Sequence, residues 1–261
     1  VTDRTPGVVV HADRQTLAEA AADRMVTTVV EAQSARGRAD VVLTGGSMGS
    51  ALLVALGSSP GRDAIDWSGV DLWWGDERYL PAGDPDRNET QARDALLDQL
   101  PLDPSRVHPM PAAGDDSDVD AAAARYAEQL AARAAEESPR QDVPTFDLLL
   151  LGVGPDAHVA SLFPEHPALH EQDRSVIGVR GAPKPPPTRI SLTFRALCAA
   201  HDVCFLVSGS DKADAVGLAL SGTGPMQAPA AGVRGVRSTT WLLDRAAAAR
   251  VPRQLVRPAS P

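Results

Sequence analysis

Val41-Val42-Leu43-Thr44-Gly45-Gly46-Ser47-Met48-Gly49 decides the fold class. The first four residues are apolar or β-branched and carry no charge, so they read as a buried strand. Gly45-Gly46-Ser47 reads as a tight turn and residues 48–56 as a helix. A strand that feeds a helix through a glycine turn is the building unit of a parallel sheet, because parallel neighbours need a crossover connection. Working toward the N-terminus, Leu17, Ala21, Met25 and Val29 repeat at helical spacing behind a Thr16/Glu19 capping box, and Gly37 stops that helix. Residues 8–10 form a short apolar run ahead of it. Toward the C-terminus the pattern recurs. Strands are expected at 70–74, 107–110, 146–151, 175–179, 189–193, 203–207 and 240–243, and helices from the Asn88 cap to Leu100, at 118–137 and at 212–220. This alternation predicts an α/β chain with a mostly parallel sheet and helices on both faces. Ligands of such sheets bind beyond the carboxyl ends of the strands, so the turns at Gly45, Gly75, Gly152 and Gly209 are expected to converge.

The 261 residues contain no internal repeat and no long linker, so one domain over 1–261 is expected, with a loosely held tail from about residue 250. Pro183 to Pro187 read as a rigid loop. Apolar residues make up 43% and charged residues 23%, close to the globular average, which excludes disordered, collagen-like and mini-protein classes. The net charge of −9 argues against a general affinity for nucleic acid or an acidic membrane surface, so an anionic ligand requires a local cluster of cations. Cys198 and Cys204 are too few for a disulfide framework and lack zinc-site spacing. No export signal or long apolar run is visible, and a reducing cytoplasm is the expected setting.

Gly45-Gly46-Ser47-Met48-Gly49 matches the G-x-S-x-G nucleophile elbow, which makes Ser47 a candidate nucleophile. Hydrolases with that elbow normally place several strands before it, and here one weak strand candidate precedes it. The same turn also reads as a phosphate cradle built from backbone N–H groups, or as a plain tight turn. Gly152-Val153-Gly154-Pro155-Asp156-Ala157 matches the dinucleotide fingerprint, but Pro155 removes an N–H donor and no isolated acidic strand end follows about 20 residues on. Asp156-Ala157-His158 places a carboxylate and an imidazole at the mouth of the clearest strand, where the histidine is a candidate base or simply caps the turn. Asp76-Glu77-Arg78 ends another strand and reads as a substrate contact or a surface ion-pair cluster. His166 and His170 are four apart, but Pro164 and Pro167 argue against a helix there, so no metal site is expected. Lys184 and Lys212 are the only lysines, against 23 arginines. A cation opening the helix after Ser208-Gly209-Ser210 is unfavourable unless an anion lies between.

Four segments in order resemble the 6-phosphogluconolactonase family. They are Val-Leu-Thr-Gly-Gly-Ser at 42–47, Trp-Gly-Asp-Glu-Arg-Tyr-Leu-Pro at 74–81, Leu-Leu-Gly-Val-Gly-Pro-Asp-Ala-His-Val-Ala-Ser-Leu-Phe-Pro at 150–164, and Pro-Lys-Pro-Pro-Pro-Thr-Arg-Ile-Ser-Leu-Thr at 183–193. The resemblance implies a Rossmann-like fold shared with glucosamine-6-phosphate deaminase and hydrolysis of 6-phospho-D-glucono-1,5-lactone in the oxidative pentose phosphate pathway. It implies no metal or organic cofactor. His158, Asp156 and Arg78 become the expected catalytic residues. Gly45, Gly46, Ser47, Asp76, Lys184, Arg189 and Lys212 become the expected substrate contacts. The expected partner is a small phosphosugar lactone, with the chain acting as a monomer or weak homodimer. The alternatives are a deaminase-like isomerase and a catalytically silent sugar-phosphate binding protein. Ser161-Leu162-Phe163-Pro164 stands where the deaminases carry Asn-Glu-Pro. Ala157 stands where the family usually has glycine, at a cost of about 1 kcal/mol if the backbone there is left-handed.

Overall fold

The computed structural model describes residues 5–116 and 118–258. In chain order the elements are β1 (Gly7–His11), α1 (Arg14–Arg36), β2 (Ala39–Leu43), α2 (Gly46–Ser58), β3 (Val70–Trp74), β4 (Asp76–Arg78), α3 (Asn88–Ala95), α4 (Val119–Ala135), β5 (Leu148–Leu151), β6 (Val176–Val179), β7 (Arg189–Leu192), α5 (Phe194–Leu197), β8 (Asp202–Val207), α6 (Ala213–Leu220), β9 (Ser238–Asp244) and β10 (Val256–Pro258). Seven strands form a parallel sheet in the order β10-β1-β9-β8-β5-β2-β3. Every residue of β2, β3, β5 and β8 is buried. Successive side chains of a strand point to opposite faces, so both faces of the sheet centre are covered. Helix α1 packs on α2 and against β1, β2, β5, β8 and β9, while α4 packs on β6 and β7.

The α/β expectation and its main parallel strands hold, and four local readings change. Helix α1 begins a turn earlier than Thr16: Asp13 is the N-cap, its carboxylate accepts the Thr16 N–H at 2.9 Å, and the Thr16 hydroxyl closes the capping box. Glu19 instead accepts from the Gln15 side chain. Gly37 ends the helix in the left-handed region, as expected. Asn88 is the first helical residue and not a side-chain cap, and α3 stops at Ala95 before a short 3-10 turn at Leu97–Gln99. The expected strand at 107–110 shrinks to one bridge between Val107 and Leu72, because Pro109 and Pro111 have no N–H for a ladder. The strands β6 and β7 leave the parallel sheet and pair antiparallel with β4, in the order β4-β7-β6. No helix separates β4 from β3, so β4 has no crossover by which to join the parallel array. Beyond residue 250, β10 pairs in parallel with β1 from Val8↔Val256 to Val10↔Pro258. Residues 259–261 lie outside the described residues.

The amino ends of the sheet carry buried carboxylates that face arginines: Asp40 with Arg133, Asp71 with Arg106 and Arg38, Asp147 with Arg36, and Asp202 with Arg237. Burial pushes the Asp40 carboxyl up to about 6 against the pull of Arg133. Removing one member of such a pair strands the other in low dielectric. The opposite, carboxyl ends of the strands open into a cleft.

Candidate active site

The cleft has a volume of about 330 Å³ and lies beyond the carboxyl ends of β2, β5 and β8, with β4 and β7 as its side wall. After β5 the chain turns at once. The Gly154 N–H donates to the His158 carbonyl at 3.0 Å, and the Ala157 N–H donates to the Gly154 carbonyl at 2.9 Å. This turn brings His158 Nδ1 to 2.5 Å from Asp156 Oδ1, and the imidazole packs on Phe163 with ring centroids 4.6 Å apart. When Nδ1 carries the proton donated to the carboxylate, Nε2 keeps its lone pair and can accept a proton. Burial alone would raise the Asp156 carboxyl. The hydrogen bond and charge of His158 and the charge of Lys184, 4.0 Å away, outweigh that and bring it down to about 2. The imidazole therefore keeps an ionised partner at any working pH.

Two backbone positions make this geometry possible. Ala157 has φ 65°, so the substitution for the usual glycine does place an alanine in the left-handed region. Its methyl is fully buried and the His158–Asp156 contact is intact beside it. At Gly154 a Cβ would stand 1.9 Å from His158 Nδ1 and 2.5 Å from Asp156 Oδ1, so any side chain there competes with the imidazole for the same space.

On the opposite wall, α2 opens on the cleft. Its N-cap, Gly45, has no side chain to satisfy the first-turn N–H groups, and Gly46 (φ 75°) and Ser47 are exposed. The positive end of the helix is thus available to an anion. Four cations share the cleft with this turn: Arg78, Lys184, Arg189 and Lys212. Arg78 and Arg189 are directly opposed across the β4–β7 ladder, a position where like charges destabilise unless an anion bridges them. Burial lowers the Lys184 ammonium below its ordinary value; Lys212 and Arg189 push it further and Asp156 opposes them. Arg189 also shapes the wall: its Nε donates to the Pro186 carbonyl and its Nη2 to the carbonyls of Lys184 and Pro185.

Of the ten residues expected from sequence, Gly45, Gly46, Ser47, Asp76, Arg78, His158, Lys184, Arg189 and Lys212 line this one cleft, and Asp156 stands behind His158. Four supporting residues were not anticipated. The Thr44 hydroxyl accepts the Gly152 N–H at 3.2 Å and ties the β2 and β5 turns together. Ser161 is buried and its hydroxyl donates to Asp76 at 2.6 Å. The Ser208 hydroxyl donates to Asp244 at 2.6 Å beside the Lys212 turn. Asn88 lines the cleft while its amide nitrogen donates to the Asp76 carbonyl at 2.8 Å. Ser161 lies inside a quoted motif, but Asn88 carried only the signal of a helix start. His166 serves as the N-cap of the 3-10 turn Pro167–His170 and meets the Arg180 carbonyl at 2.9 Å. Among the described residues there is no group of three or more His, Cys, Asp or Glu side chains able to hold a metal ion, and no helix is long and apolar enough to cross a membrane.

The model of the family described as glucosamine-6-phosphate isomerases/6-phosphogluconolactonase matches residues 12–241. A 6-phosphogluconolactonase of Streptomyces coelicolor is 62% identical over 258 residues, covering 98% of each chain. The solved 6-phosphogluconolactonase of Trypanosoma brucei superimposes with a TM-score of 0.79 at 26% identity, covering 96% of this chain and 100% of the other. A monomeric glucosamine-6-phosphate deaminase superimposes with a TM-score of 0.76 at 21% identity, covering 94% and 99%, and so shares the fold.

Proposed function

The chain belongs to the glucosamine-6-phosphate isomerase/6-phosphogluconolactonase family, and on that premise we infer that it hydrolyses 6-phospho-D-glucono-1,5-lactone to 6-phosphogluconate, the lactone-opening step of the oxidative pentose phosphate pathway, with His158 as general base. The observation that supports this role best is the His158 imidazole held through Nδ1 by Asp156 at the edge of a cationic cleft. Water attacks the ring carbonyl and gives its proton to His158 Nε2. The tetrahedral oxyanion collapses with cleavage of the bond from the carbonyl carbon to the ring oxygen, and the imidazolium returns the proton to that oxygen. Positioned general-base catalysis contributes about 10²- to 10⁴-fold, and anchoring the remote phosphate adds orientation.

Lys184, Arg189 and Lys212 hold the phosphate together with the N–H groups of Gly45, Gly46 and Ser47, since charge-assisted donors are the strong ones. Arg78, in register with Arg189, adds a second guanidinium to the same anion-binding wall. Asp76, held by Ser161 and Asn88, presents an acceptor for a sugar hydroxyl. The reading needs no metal or organic cofactor. The free thiols of Cys198 and Cys204 suit a reducing cytoplasm, where we place the reaction. We take the monomer or weak homodimer as the working unit. The deciding experiment follows freshly made 6-phosphogluconolactone to 6-phosphogluconate in a coupled assay, with glucosamine 6-phosphate as control; deamination of the control without lactone opening would overturn the reading.

Two variants test the anion wall. Lys212→Ala is expected to raise KM for the phosphorylated lactone about 10- to 150-fold, the equivalent of the roughly 1.5–3 kcal/mol of a hydrogen bond to a charged group. Unphosphorylated gluconolactone should be turned over as before, and equal losses on both lactones would refute the phosphate assignment. For Ser47 the cradle and the nucleophile elbow predict opposite outcomes. As a cradle residue, Ser47→Ala loses at most one such bond while the backbone donors remain, so KM rises within that range and kcat at saturation is retained. A gluconoyl adduct on Ser47 in mass spectra, or loss of kcat, would make it the nucleophile.

A further inference from the structure

The β4 strand alternates, with Asp76 and Arg78 facing the cleft and Glu77, between them, fully buried on the other side. A buried carboxylate directly beneath two substrate-facing residues needs a reason. Its oxygens supply one: Oε1 accepts the N–H of Arg78 at 2.8 Å and of Asn88 at 2.7 Å, and Oε2 accepts the N–H of Glu89 at 2.9 Å. The buried Arg87 guanidinium stands 3.8 Å from Oε2. Helix α3 has no side-chain cap of its own at Arg87, so Glu77 caps it from a neighbouring strand. Asn88 then reaches back to the Asp76 carbonyl, and its Oδ1 lies 1.9 Å from where a Gly45 Cβ would stand, hard against the anion-binding turn.

We propose that Glu77 is a positioning residue for the lactone hydrolysis, a single buried carboxylate that sets Arg78 and Asn88, and through Asn88 the Gly45 turn, in register with one another. The proposal rests on the reading of the cleft given above. Burial pushes the Glu77 carboxyl up to about 7 against Arg87 and the three N–H groups, so the site holds this group at a cost that a purely apolar side chain would avoid. Arg78 and Asn88 belong to different elements, and Glu77 accepts backbone N–H groups from both.

The test is a kinetic cycle on the full chain, with melting temperature recorded for each variant. Glu77→Gln keeps the shape and removes the charge. It is expected to raise KM for the phosphorylated lactone about 10- to 100-fold, the scale of an ångström-sized misplacement. KM does not depend on how much of the sample is folded, so a merely structural defect would lower the apparent kcat and leave KM unmoved. In an Arg78→Ala/Asn88→Ala background the same Glu77→Gln change should alter KM by less than about twofold, because the groups it positions are gone. A full effect in that background, or a wild-type KM in the single variant, overturns the proposal. If Glu77→Gln does not fold, Glu77→Asp, which keeps the charge on a shorter stem, is measured in its place with the same expectation; failure of both to fold also overturns it, since Glu77 is then a folding residue. An unaltered chain without lactonase activity refutes the function itself, whereas an active chain with insensitive Glu77 variants refutes only the positioning.

Discussion

His158→Ala is expected to lower kcat by about 10²- to 10⁴-fold while KM changes far less. A base acts on the proton moving in the transition state and contributes little to holding the ground-state lactone. The proposed phosphate wall, the cleft-lining cations Arg78, Lys184, Arg189 and Lys212, does not include the imidazole, so on this reading substrate binding remains. The Asp156 carboxyl, held down to about 2, stays ionised across the measurable pH range, so the carboxylate partner of the imidazole is not lost on the acid side of the rate profile. Steady-state kinetics on the two proteins decide the matter. A kcat within a few-fold of wild type would remove His158 from the reaction, and a loss confined to KM would make it a binding residue.

Gly154→Ala is expected to fold normally and yet lose about 100-fold in kcat. The backbone of Gly154 does not lie in the left-handed region, so alanine meets no backbone penalty there. The added Cβ, however, would sit 1.9 Å from His158 Nδ1, 2.1 Å from Cε1 and 2.5 Å from Asp156 Oδ1. These are side-chain atoms that yield by rotating, and each rotation breaks the Nδ1–carboxylate bond or swings Nε2 away from the attacking water. Misplacement by about 1 Å costs on the order of 100-fold. Thermal melting paired with kinetics gives the check: an unchanged melting temperature with intact kcat would show that the imidazole has room the structure does not provide.

Much of the molecule was legible in local pattern. The mainly apolar runs at 41–44, 70–74, 146–151, 203–207 and 240–243, with Asp71 and Asp147 their only charges, all lie in or overlap strands of the parallel sheet, because a strand buried on both faces has to be largely apolar on both. Gly37, Gly46 and Gly209 adopt positive φ at the ends and turns where chain reversal was expected. The place of the cleft was legible for a related reason. Strand ends in such a sheet converge, so an imidazole after β5 with a carboxylate behind it, a guanidinium after β3 and a glycine turn after β2 meet at one cleft.

Other features were decided only by the tertiary structure. The sequence marks Asn88 as a helix start and Thr16 as the cap of the first helix, but which side chain caps depends on which donors the fold leaves unsatisfied, and at α1 it is Asp13. At α3 that donor set is answered by Glu77 from another strand. The antiparallel sheet β4-β7-β6, and with it the opposition of Arg78 and Arg189, joins segments far apart in the chain. Hydrophobic periodicity gives the face a residue occupies but not its partner across a ladder, since register is set by how distant strands pack. The sequence by itself therefore determined the α/β class and the supply of cations, which follow from local pattern, and through the family resemblance it named His158 and Asp156 as the candidate catalytic pair. The fold decided their mutual placement, because a buried carboxylate such as Glu77 shows its purpose only in the N–H groups that packing brings to it.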